Sequence, residues 1–132
     1  VLVDFVWCSS VYDNFGDIKN AGEDMINDNL KTQIGEYCYL VQRGKPSAML
    51  PVQNRYVNEA MEIVEGYKDL YYINKYLSDG WREFWIYRKT FMSEVIKNLP
   101  EKPKTIYDHW IIGKAFGYSD EAIEEYINKE QL

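Results

Sequence analysis

The chain has 132 residues, 46% hydrophobic and 16% aromatic, with 21 acids against 15 bases and a net charge of −6. That length predicts one domain over residues 1–132, with a core large enough to stand without a metal or a disulfide framework. The apolar content argues against disorder, and the acidity argues against a general nucleic-acid binder, because phosphate contacts need clustered Lys and Arg.

Residues 1–7 are rich in Val and aromatics and read as a strand. Residues 9–22, with Asn14, Gly16, Asn20 and Gly22, read as a loop. Over 23–34, Ile26, Leu30 and Ile34 recur at i, i+4 and i+8. Glu23 and Asp24 open that stretch and Gly35 follows it, so a short helix is predicted. Residues 36–42 read as a strand, Arg43-Gly44-Lys45-Pro46 as a turn and 47–52 as the return strand of a hairpin. Over 53–64, Val57, Ala60, Met61 and Val64 share one helical face, and Gly66 ends it.

Residues 69–77 fit either a short helix or a strand, and Ser78-Asp79-Gly80 is turn chemistry. Residues 81–99 read as one long helix. At 100° per residue, Trp81, Phe84, Trp85, Phe91, Met92, Val95, Ile96 and Leu99 fill an arc of roughly 140°. A hairpin of 70–77 with 81–88 competes with this reading; the period running on to Leu99 favours the helix. Pro100 and Pro103 stop it. Residues 105–116 form another predicted helix, with Gly117 as its C-terminal cap. Ser119 then caps a last helix over 120–129, with Ala122, Ile123, Tyr126 and Ile127 as its apolar stripe. The fold expected is α+β: a mostly helical single domain with a small antiparallel β-hairpin or sheet and a C-terminal helical hairpin.

Residues 111–127 have the spacing of a helix-turn-helix. A groove-reading helix, however, needs Arg, Lys, Asn or Gln where this one has Asp120, Glu121, Glu124 and Glu125. No direct duplex DNA binding is therefore expected. A DNA-binding regulator would have to assemble a basic face from Arg43, Lys45, Arg55 and Lys89. Residues 42–47 fail as a phosphate loop, since Tyr39 stands where the earlier Gly belongs and Pro46 replaces Ser or Thr.

His109 is the only histidine. Its neighbour Asp108 points about 100° away on a helix and does not orient it. No catalytic residue is assigned. One His with two distant cysteines, Cys8 and Cys38, does not make a metal site, and no cofactor is implied. Both cysteines are read as reduced thiols. No apolar run is long enough for a membrane span, and the opening residues lack the basic start of a signal peptide, so a cytoplasmic location is expected.

Charge is sorted along the chain: residues 1–36 and 108–132 are acidic, and 37–107 carry a basic excess. Together with twelve Tyr and four Trp, this points to a binding module or regulator rather than an enzyme. The expected partner is another protein with a basic surface. The residues expected to meet it are Asp120, Glu121, Glu124 and Glu125, while Arg43 and Lys45 would meet an acidic partner and Arg88 a carboxylate or phosphate. Occupying a partner's nucleic-acid channel, as inhibitors from phages and mobile elements do, is one form of this. The alternative is a ligand-binding protein or enzyme with a pocket built on Arg88 and His109.

Overall fold

The computed structural model describes residues 23–130, with side chains from residue 28 onward. The strand expected over 1–7, the loop over 9–22 and Cys8 lie outside the described residues. The described chain runs α1 (Glu23–Gln42), β1 (Ser47–Gln53), a 3-10 turn (Asn54–Tyr56), α2 (Val57–Glu65), β2 (Tyr71–Ser78) and β3 (Trp81–Tyr87). Three further helices follow: α3 (Met92–Lys97), α4 (Ile106–Phe116) and α5 (Asp120–Lys129). The strands form an antiparallel sheet in the order β1-β3-β2.

The centre of the molecule is β3, Trp-Arg-Glu-Phe-Trp-Ile-Tyr. Its side chains alternate between two cores. Phe84 and Ile86 join Ala48, Leu50 and Val52 of β1 beneath α1 and α2. Trp85 and Tyr87 join Met49 of β1 beneath α3, α4 and α5. The result is three layers, helices over both faces of a small sheet. A strand buried on both sides needs apolar residues at nearly every position, so it loses the alternation that marks a half-exposed strand.

That loss explains the largest correction. The long helix expected over 81–99 is instead a strand, a turn and the short helix α3. Ile86 and Tyr87 lie outside the helical arc, yet both are buried. Conversely Phe91 and Val95, inside the arc, are 65% and 37% exposed. The competing hairpin is the one that forms. In it Tyr71 pairs with Tyr87 and Ser78 with Trp81, with a bulge between Tyr76 and Ser78. Gly80 closes the turn at φ 82°, a conformation that glycine alone adopts cheaply. Tyr71 stacks on Tyr87 and Tyr72 on Phe84, each at 5.8 Å between ring centres.

The second correction concerns the hairpin expected from 36–42 and 47–52. Residues 36–42 continue α1. Leu30, Ile34, Cys38 and Val41 are all buried in one stripe at helical spacing that runs straight past Gly35. Burial pushes the Cys38 thiol up to about 11. The strand over Ser47–Gln53 does form, but it pairs with β3: Ser47 lies opposite Tyr87 and Gln53 opposite Trp81.

A buried carboxylate sits in this sheet. Glu83 is 5% exposed and accepts a hydrogen bond from Trp85 Nε1 at 3.0 Å. Lys75 faces it in register, and its ammonium donates to the carbonyl of Ile96 at 3.0 Å, near the C-terminus of α3.

Candidate functional site: the last helix and its surroundings

The C-terminal hairpin is built from local capping signals. Thr105 Oγ1 accepts from Asp108 N at 3.1 Å, and Asp108 Oδ2 accepts from Lys104 N at 3.0 Å and Thr105 N at 3.3 Å. This reciprocal box starts α4. Those bonds, the one from Lys104 foremost, hold the Asp108 carboxyl below its ordinary range. Gly117 ends α4 at φ 87°. Ser119 Oγ then accepts from Ala122 N at 3.1 Å and starts α5.

Helix α5 buries one stripe. Ile123 is fully buried, and Ala122, Tyr126 and Ile127 pack partly against the same core. The remaining surface of its first two turns carries Asp120, Glu121, Glu124 and Glu125, all exposed. Residues 120 and 124, and 121 and 125, are i,i+4 neighbours, so the four carboxylates form one strip. Asp120 is ion-paired with Lys114 of α4. Asp120 and Glu121 also lie in the first turn, where the helix dipole favours negative charge.

The other residues singled out from the sequence are scattered. Lys45 is not at the tip of a hairpin. It turns inward, donating to the carbonyl of Phe116 at 2.7 Å with its ammonium 4.9 Å from the Phe116 ring centre. Beside it, Ser47 Oγ donates to the carbonyl of Ala115 at 2.6 Å. These two side chains satisfy carbonyls that the end of α4 leaves open. Arg43 is exposed, with its guanidinium 4.2 Å over the Tyr39 ring. Arg88 follows the end of β3, half-buried.

His109 lies in α4 with its ring 5.4 Å from that of Tyr126. Burial lowers its pKa, opposed by the nearby charges of Asp108 and Glu130. No hydrogen bond or ion pair joins His109 to Arg88 among the described residues. A shallow depression on α1, lined by Gly35, Glu36, Tyr39 and Leu40, contains neither of them. Among the described residues no group of His, Cys, Asp and Glu is placed to hold a metal ion, and no helix is long and apolar enough to cross a membrane. Sequence reasoning missed the exposed Ile106 and Tyr107 at the start of α4 and the exposed Phe91 before α3. The helical arc that claimed Phe91 for the core hid it.

The chain matches no family model, no curated protein and no solved structure.

Proposed function

We propose that the protein is a binding module whose last helix docks on a basic surface of another protein. The observation that supports this is the strip Asp120, Glu121, Glu124 and Glu125. All four are exposed on one face of a helix whose opposite face is fixed in the core. Like charges at i,i+4 disfavour a helix by a few tenths of a kcal/mol per pair, and α5 carries two such pairs. A basic partner turns that cost into attraction. A surface that ordinarily holds nucleic-acid phosphates is of this kind, and occupying it would make the protein an inhibitor.

Charges at the rim of an interface act mainly on association rate and its salt dependence. The test therefore uses a partner captured from the host and repurified. Changing Asp120→Asn, Glu121→Gln, Glu124→Gln and Glu125→Gln together is expected to leave the melting temperature near that of the parent. It should slow association on a biosensor, most at low salt. Equal on-rates for parent and variant would return the strip to a solubility role.

A further inference from the structure

One end of the sheet gathers cations from three separate loops, with aromatic rings beside them. There β1 begins, β3 ends and β2 begins, because Ser47, Tyr87 and Tyr71 lie side by side in register. The loops at that end are residues 43–46, 66–70 and 88–91. They carry Arg43, Lys45, Lys68, Arg88 and Lys89 against a single acid, Asp69. Gln42 Nε2 donates to the carbonyl of Lys68 at 3.5 Å and ties two of these segments together. Lys45 is committed to α4. Arg43, Lys68, Arg88 and Lys89 make no ion pair with a carboxylate among the described residues.

Helix dipoles explain only part of it. Arg43 and Lys68 follow the C-terminal ends of α1 and α2, where positive charge is favoured. Arg88 and Lys89 precede the N-terminal end of α3, where it is not. The same end also exposes rings. Tyr39 lies beneath the Arg43 guanidinium, Tyr71 is 44% exposed and stacked on Tyr87, and Phe91 is largely exposed two residues after Lys89.

We propose that this end of the sheet binds single-stranded nucleic acid. Arg43, Lys68, Arg88 and Lys89 meet phosphates, and Tyr71 and Phe91 offer surfaces on which unpaired bases stack. A positive track combined with aromatic side chains is what sequence-tolerant single-strand binding requires. An acidic peptide would satisfy the cations and leave the rings unused. A duplex keeps its bases stacked internally and is broader. Pro46 abuts Gly117, so the α4–α5 turn borders this end. This surface is distinct from the acidic strip, and its test does not depend on that strip's partner.

The experiment titrates the full chain into a fluorescent oligothymidylate and an oligouridylate, at low and at physiological salt, and reads anisotropy. A duplex of the same length is titrated in parallel, and polyglutamate is used as competitor. Binding to the single strands is expected, with log K falling against log salt at about −0.7 per phosphate met, so roughly −2 to −3 in all. The duplex should bind more weakly. Arg88→Glu with Lys89→Glu should lose about tenfold or more at low salt, as salt slopes of this kind imply. Arg88→Gln with Lys89→Gln reports the same loss if charge reversal unfolds the chain. Phe91→Ala should weaken binding at every salt concentration with the slope unchanged. Absence of binding at low salt overturns the proposal, as does unchanged binding by both double variants. Polyglutamate competing as well as an oligonucleotide of equal charge would make the surface one for acidic peptides, and tighter duplex binding would likewise overturn it.

Discussion

At the scale of single residues, two glycines separate what the backbone requires from what it tolerates. Gly117 has φ 87°, and a Cβ there would stand 2.6 Å from Pro46 Cδ. Gly117→Ala combines a left-handed backbone cost of about 1–2 kcal/mol with that clash, so a loss of roughly 2 kcal/mol or more is expected in urea unfolding. Gly35 sits inside α1, and a Cβ there would meet only Tyr67 Oη at 3.4 Å. Gly35→Ala should stabilise by about 0.5–1 kcal/mol through helix propensity, and a loss would mean that α1 is interrupted there. His109 supplies a pH dependence. Its folded pKa lies below its ordinary value of 6.5, because burial disfavours the imidazolium. Between the two values the unfolded chain binds more protons, so stability is full above pH 6.5 and declines as pH falls below it. His109→Gln should flatten that part of a stability-versus-pH curve. The lowered Asp108 carboxyl acts in a separate window, below its ordinary value of 3.8.

At the scale of elements, the chain was legible where structure is set by neighbours in sequence. The α4–α5 hairpin was readable because Thr105, Gly117 and Ser119 act locally on the helices they flank. β3 was not, because its character comes from being covered on both faces, which no short window reveals. The spacing of Trp81, Phe84 and Trp85 fits a helix and a doubly buried strand equally well. Ile86 at the wrong angle was the available warning, and the Asp79-Gly80 turn was a second. The glycine at 35 reads as the end of α1, although Cys38 and Val41 carry its buried stripe onward. The two readings of 81–99 make opposite predictions. Ile86→Asp should cost several kcal/mol, since it buries an unpaired charge in the centre of the sheet. Phe91→Asp should be nearly neutral in thermal melts. Of the candidate site, the carboxylate strip was legible because an amphipathic helix shows its outer face in sequence. The inward turn of Lys45 was not, because it depends on where the end of α4 comes to rest.

At the scale of the whole molecule, acids dominate α5, while one end of the sheet gathers cations that make no ion pair with a carboxylate among the described residues. Duplex DNA is accordingly expected not to bind appreciably at physiological salt. A salt-sensitive, sub-micromolar gel shift would contradict this. The strand order carries a consequence for the timing of assembly. The strand that occupies the middle of the sheet is the last of the three to be synthesised, and β1 has no described neighbour in the sheet until β3 arrives. A nascent chain that has emerged only as far as Gly80 holds β1 and β2 without the β3 that lies between them. The tight β2–β3 hairpin can form quickly once Tyr87 is free, whereas β1 must close a much longer loop to dock on it. Slow amide exchange should therefore be acquired in β2 and β3 before β1, and nascent chains arrested before Tyr87 should remain sensitive to protease throughout.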